Sequence, residues 1–216
     1  MMNPSMNKAC VMIGAGGHAR VLLDILARQG IRPVAIFSPD RDVVLPGFSA
    51  AEHFQHDAHI EQFPPEQFNL INGIGYLPGN AIRFTIQKKF SDLGYTFASV
   101  ISERALISPH AKLASGIQIM DGCIVNHSVS IGPHCVINTA AVIEHDCKLD
   151  SDVMLSPAAV LCGNVHCKTR SFIGAGATVI QNVIIGVGAQ VAAGAVVVRD
   201  LQDQQKVYPA RQFYTW

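Results

Sequence analysis

The sequence is short of charge. Asp, Glu, Lys and Arg make up only 15% of its 216 residues, and the 16 basic and 16 acidic side chains cancel. Neither a nucleic-acid backbone nor an anionic membrane therefore has an electrostatic reason to bind it. No apolar run reaches the ~20 residues of a bilayer span, and the polar stretch Met1–Lys8 lacks the apolar core of a secretion signal. CxxC pairs are absent, which argues against a structural zinc site. The six cysteines are even in number, but Cys123, Cys135 and Cys147 share one place of a repeat and read as small core residues, not as a disulfide set. A cytoplasmic chain with reduced thiols is the expectation.

What is abundant is aliphatic. From Ile101 to Val197, every sixth residue is Ile, Leu or Val, with Cys167 the one exception in seventeen consecutive positions. The fifth place of each hexad is also restricted, to Ala, Cys, Val, Ile or Ser, as at Ala141, Cys147, Val153 and Ala159. A period of six matches neither the 3.6 of an α-helix nor the 2.0 of a strand. It matches a parallel β-helix in which three hexads make one triangular coil, so that residues 18 apart stack. One aliphatic residue per hexad is expected inside, at roughly 1.5–3 kcal/mol gross each, with the small fifth residue at the corner. Parallel crossovers are normally right-handed, and the repeat itself does not give the hand.

Ahead of the repeat, Ala9–Ile13 is an apolar strand ending in Gly14-Ala15-Gly16-Gly17-His18-Ala19. A helix follows with Val21, Leu22, Ile25 and Leu26 on one face, then a strand over Val34–Phe37. Strand, glycine turn, helix, strand is a Rossmann-like opening, and the helix N-terminus would offer its free N–H groups to a phosphate. Tight packing alone also produces such a turn. A dinucleotide site would want an acid at the end of the second strand, where the sequence has Phe37-Ser38-Pro39-Asp40. A third strand over Asn69–Ile74 reaches Gly75, and a helix over Arg83–Leu93 closes at Gly94. Leu45–Glu66, with His53, His56 and His59, reads as irregular surface structure. The division expected is 1–99 for an α/β Rossmann-like domain and 100–216 for an all-β hexapeptide-repeat domain with a C-terminal tail.

Only outward places of the hexads can carry chemistry. His145 lies at the third place, beside a turn, between Glu144 and Asp146. A carboxylate that orients an imidazole and raises its basicity makes a general base; an ordinary polar turn histidine is the alternative. His127 is 18 residues earlier on the same face, and His134 is at another place. A zinc-dependent hydratase would need three converging imidazoles, and this spacing aligns two.

Gly14-Ala15-Gly16-Gly17-His18-Ala19-Arg20-Val21, Ile74-Gly75, Ile143-Glu144-His145-Asp146-Cys147, Leu161-Cys162-Gly163-Asn164-Val165 and Ala193-Gly194-Ala195-Val196-Val197 together resemble the sugar O-/N-acyltransferase family. That family includes sialic acid O-acetyltransferases and the bacillosamine-type N-acetyltransferases of UDP-linked 4-amino-4,6-dideoxy sugars. The resemblance implies a left-handed β-helix, a homotrimer and active sites between neighbouring subunits, with acetyl-CoA as co-substrate and no metal. It implies that Gly16, Gly17, His18, Ser38, Asp40 and Gly75 hold the sugar nucleotide, with UDP favoured over GDP or dTDP. His145 would be the base, Asp146 its partner with Glu144 alongside, and acetyl-CoA would lie near Met154, Gly163, Ala175 and Ala193. Transfer would be direct, onto a sugar amine, or onto the hydroxyl of sialic acid or a related sugar in the alternative reading. Three departures stand out. Met154 occupies the place of the family's second histidine, Ser38-Pro39 replaces an acidic pair, and Ala158 stands where glycine is usual. The tail from Tyr208 resembles the family's closing segment, with Phe213, Tyr214 and Trp216 as covers for the last coil.

Overall fold

The structure, a computed structural model, describes residues 8–40 and 51–209. Residues 45–50 of the expected surface segment, and the tail aromatics Phe213, Tyr214 and Trp216, lie outside them. The chain divides into two compact units, Met1–Ile101 and Ser102–Trp216.

The first unit is built on a parallel sheet of β1 (Ala9–Ile13), β2 (Ala35–Phe37), β3 (Glu52–Phe54) and β4 (Phe68–Asn72), in the order β3-β2-β1-β4. Helix α1 (Gly17–Arg28) joins β1 to β2, and α2 (Ile82–Asp92) follows β4. The central strand β1 pairs on one side with β2, Ile13 opposite Phe37, and on the other with β4, Ile13 opposite Asn72. Strands covered on both faces should be continuously apolar; Val11, Met12, Ala35, Leu70 and Ile71 are all buried. Helix α1 buries Ala19, Leu22, Leu23, Ile25 and Leu26. Val21 is 41% exposed, because it sits on the opposite side of the helix from the buried stripe; its expected place on the inner face is corrected.

Residues 51–66 of the segment expected to be irregular include regular structure. β3 extends the sheet, and a 3-10 turn over Asp57–Gln62 packs behind it. Phe54 stacks on Phe37 at 5.0 Å, and Phe63 meets both rings edge-on. The apolar signal was hidden by intervening His and Pro residues, so aromatic pairing outweighs the polar composition here.

The second unit is a parallel β-helix. Every strand is two residues long, and successive coils pair in parallel 18 residues apart, as Val142-Ile143 does with Val160-Leu161, until the last, where Gln190-Val191 pairs with Lys206-Val207. The strands form three flat faces. The first includes Ile124–Val125, Val142–Ile143 and Val160–Leu161; the second Ser130–Ile131, Lys148–Leu149 and His166–Cys167; the third Val136–Ile137, Met154–Leu155 and Phe172–Ile173. Together with the α/β unit this is the expected fold class: Rossmann-like, then a left-handed parallel β-helix of hexapeptide repeats.

Two places per hexad face inward, not one. Ile143, Leu149, Leu155 and Leu161 are buried, and so are the fifth-place residues Cys135, Ala141, Cys147 and Val153. The corner itself lies at the third and fourth places. The N–H of the fifth residue bonds the carbonyl of the second, as Ala141 does to Asn138 at 3.0 Å, closing a tight turn. The fourth residue takes positive φ: Ser128, His134, Ala140, Asp146, Asp152, Ala158 and Asn164 recur six apart at 57° to 62°. Fifth-place residues are small because they fill the angle inside that turn. The cysteines among them also satisfy the backbone. Cys135 Sγ–H donates to the Asp150 carbonyl at 2.9 Å, and Cys147 Sγ–H to that of Cys162 at 3.1 Å. All six thiols are free. Among the described residues, no helix is long and apolar enough to cross a membrane.

Candidate active site

His145 stands on the corner between the first and second faces. Three backbone bonds fix that corner: Glu144 N–H to the Leu161 carbonyl at 2.9 Å, Asp146 N–H to that of His127 at 3.1 Å, and Asn164 N–H to that of His145 at 2.9 Å. The imidazole Nδ1 lies 2.8 Å from Oδ2 of Asp146. A carboxylate only accepts, so in the neutral ring the hydrogen is at Nδ1 and the lone pair at Nε2. The left-handed conformation of Asp146, φ 62°, is what turns its side chain back onto the preceding ring. Both side chains are open, 63% and 58% exposed. A carboxylate-held imidazole with a free, accessible Nε2 can take a proton from an approaching amine or hydroxyl.

The neighbours on this corner are polar and ordered. Glu144 does not reach His145; its Oε2 accepts from Nδ2 of Asn126, one coil earlier, at 2.9 Å. His127 Nδ1 pairs with Ser128 Oγ at 2.7 Å, and its ring packs against His110 at 4.4 Å. Asn126 was not singled out in the sequence; its signal is the 18-residue offset from Glu144. On the other side, Gly163 lies directly beyond the His145 ring. Among the described residues there is no group of three or more His, Cys, Asp or Glu arranged to hold a metal.

The other residues expected near acetyl-CoA fall elsewhere on the prism. Ala175 and Ala193 stack 18 apart on the corner between the third and first faces, beside Gly174, Gly176 and Gly194, a ridge where main chain is accessible. Met154 is a buried strand residue on the third face, paired with Val136 and Phe172. In a triangular coil that face is opposite the His145 corner. Met154 and His145 of one subunit thus point to different sides, and only different copies could bring them together.

In the first unit, the carboxyl ends of β1, β2 and β4 converge at the start of α1. Gly16 is the N-cap, with no side chain bonded to the helix end, and a Cβ at Gly16 or Gly17 would meet nothing within 4 Å. This leaves free N–H groups above an open surface, where anions bind in parallel α/β sheets. Gly14 is different. At φ 95° its backbone favours glycine, and a Cβ would stand 2.9 Å from Ile74 Cγ1. Gly75 lies beside His18, its Cβ position 3.5 Å from that of His18. Ser38, at the end of β2, is buried; its Oγ accepts from Asp40 N–H at 3.3 Å and its carbonyl meets His53 Nε2 at 3.0 Å. The expected substrate residues Gly16, Gly17, His18, Ser38, Asp40 and Gly75 are therefore all at one end of the sheet. His53, read as solvated loop, is a β3 residue bound to this end. Arg83 was missed altogether. It is buried and donates through Nη1 to the carbonyls of Asn72 and Ile74, while Asn72 Oδ1 accepts from Ile74 N–H, fixing the loop to Gly75.

Comparison with known proteins gives the family. Residues 10–90 match the model of the PglD N-terminal domain. A mutant of perosamine N-acetyltransferase from Caulobacter crescentus, in complex with CoA and GDP-perosamine, is 33% identical over 93% of both chains, with a TM-score of 0.82. PerB from the same organism, with CoA and GDP-perosamine, is 34% identical over the same shares, with a TM-score of 0.81. The acetyltransferase domain of PglB from Neisseria gonorrhoeae FA1090, in complex with acetyl coenzyme A, is 31% identical over 96% of this chain and 100% of that one, with a TM-score of 0.81. With this identity over nearly the whole of each chain, this chain is an enzyme and belongs to the family of nucleotide-amino-sugar acetyltransferases.

Proposed function

We propose that the enzyme transfers the acetyl group of acetyl-CoA to the 4-amino group of a nucleotide-linked 4-amino-4,6-dideoxy sugar. One observation carries the reading: the His145–Asp146 pair, 2.8 Å apart on an exposed corner, leaves Nε2 unprotonated and open. The amine nitrogen attacks the thioester carbonyl while Nε2 takes a proton from it. The N–C bond forms, the C–S bond breaks, and the thiolate of CoA leaves to be protonated. Asp146 holds the ring and balances the imidazolium that forms. No acyl-enzyme intervenes, so none of the cysteines has a chemical role.

The α/β unit holds the nucleotide, its diphosphate at the N-terminus of α1 near Gly16, Gly17 and His18, with Ser38, Asp40 and Gly75 at the rim. UDP is the nucleotide that the family resemblance favours. GDP is the second reading, favoured because similar proteins were captured with GDP-perosamine. Acetyl-CoA lies against the solenoid, near Gly163 and the small-residue corner of Ala175 and Ala193, with Met154 supplied by a neighbouring copy. The active form is a homotrimer; the outward column of Leu106, Ile124, Val142, Val160, Thr178 and Val196 on the first face supports this, being aliphatic at every place but Thr178 where a lone solenoid would be polar.

The test is CoA thiol release with acetyl-CoA and three acceptors: a UDP-linked 4-amino sugar, GDP-perosamine and free sialic acid. Release with either amine supports the proposal and names the base. Release with sialic acid alone replaces it by O-acetylation.

A further inference from the structure

Gly163 occupies the third place of its hexad, on the corner that carries His145. In other coils that place on the same corner holds Pro109, His127, His145 and Gln181. The backbone at this place therefore accepts side chains of any shape, and Gly163 is not among the residues with positive φ. Gly116, beneath the ring of His134, differs: its φ of 70° gives the turn its own reason for glycine. At Gly163 the reason lies outside the turn. A Cβ there would stand 2.7 Å from both Cε1 and Nε2 of His145, and 3.3 Å from Nδ1. Carbon cannot approach so closely, and one partner would have to move.

Which partner moves is fixed by the backbone bonds. His145 carbonyl accepts from Asn164 N–H at 2.9 Å, and Asp146 N–H bonds back to His127, so both coils are pinned through their main chains. The imidazole, exposed and held only through Nδ1, is the part that yields. Swinging it aside moves Nε2 and breaks the alignment with Asp146 Oδ2.

We propose that Gly163 is a positioning residue: its missing side chain is the space in which the His145 ring lies, so that Nδ1 stays on Asp146 and Nε2 is presented at the coil carrying Gly163. This rests on His145 as the base, as proposed above, and adds that the next coil sets the ring's position.

The test is a double-mutant cycle on the full-length enzyme with Gly163→Ala, His145→Ala and the pair, alongside Gln181→Ala as a control at the same place one coil on. Acetyl-transfer kinetics are read together with CoA affinity by calorimetry and thermal unfolding. The expected result is a kcat lowered about 10- to 100-fold in Gly163→Ala, the scale of a misplacement near 1 Å, with a smaller change in CoA affinity and an unfolding temperature close to the parent's. In the His145→Ala background the same substitution should cost nothing further, because its effect passes through the ring. Gln181→Ala should match the parent. Weaker CoA binding as the main effect would make Gly163 a wall of the CoA site and overturn the proposal. So would an additive loss in the double variant, or a variant that fails to fold. If His145→Ala alone keeps its activity, the assignment of the base falls, and that result is distinguishable from the others in the same cycle.

Discussion

At the scale of single residues, proton transfer depends on who touches the imidazole. Asp146 does, and Glu144 is engaged by Asn126 instead. Asp146→Asn should therefore lower kcat more than Glu144→Gln, with CoA affinity unchanged in both; steady-state kinetics on the amine acceptor check the order. The cysteines make a second prediction. Burial pushes the thiols of Cys123 and Cys147 up to about 11 from an ordinary 9.0. The neutral thiol is the form the fold favours, so its contribution is complete below pH 9 and is lost as the pH rises toward 11, where the unfolded chain ionises first. Denaturant unfolding should show stability falling across that window, and Cys147→Ala should flatten the fall. For the same reason the buried thiols should resist alkylation until the protein unfolds.

At the scale of the element, the hexad is held by two inward rungs and one left-handed corner residue. Leu161 is fully buried between coils, and Leu161→Ala should cost about 2–5 kcal/mol of unfolding free energy. Ala158 sits at φ 57°, a conformation that costs a residue with a Cβ about 1–2 kcal/mol. Ala158→Gly should recover roughly 1 kcal/mol of that, part of it offset by the unfolded-state entropy of glycine. Both are read by denaturant titration. The rungs were legible in the sequence because Ile, Leu and Val at every sixth place have no other use. The corner was misplaced by one to two residues. Small fifth-place residues look like corner residues on a page, and the left-handed position, glycine at Gly116, Gly122, Gly176, Gly188 and Gly194 but elsewhere Ser, His, Ala, Asp, Asn or Arg, carries no single composition. β3 was hidden for a related reason: Glu52-His53-Phe54 is mostly polar, and beside its backbone pairing with β2 it is anchored by one aromatic ring, Phe54, against Phe37 and Phe63. Arg83 reads as an ordinary helix-surface charge until the loop before Gly75 is seen wrapped around it.

At the scale of the whole molecule, the outward aliphatic column on the first face is the feature a monomer does not need. Val160→Glu should shift the proposed trimer toward monomer in sedimentation experiments and lower activity by more than tenfold, while the far-ultraviolet spectrum of the solenoid persists. An active monomer would separate the proposed trimer from the chemistry. The candidate site was marked in the sequence by a polar triplet interrupting a regular repeat, to which the structure adds the contact of His145 with Asp146. The identity of the nucleotide was not marked, because neither the proposed contact Ser38, buried with its hydroxyl turned to the Asp40 N–H, nor Asp40 carries a group specific to one nucleobase.

The most direct measurement is acetyl transfer to the amine acceptor by the parent and by His145→Ala, with the product identified by mass. If His145 is the base, the parent yields the N-acetylated sugar nucleotide and the variant loses about 10²–10⁴ of the rate while still binding CoA and keeping its oligomeric state. A variant that transfers acetyl at the parent's rate contradicts the account.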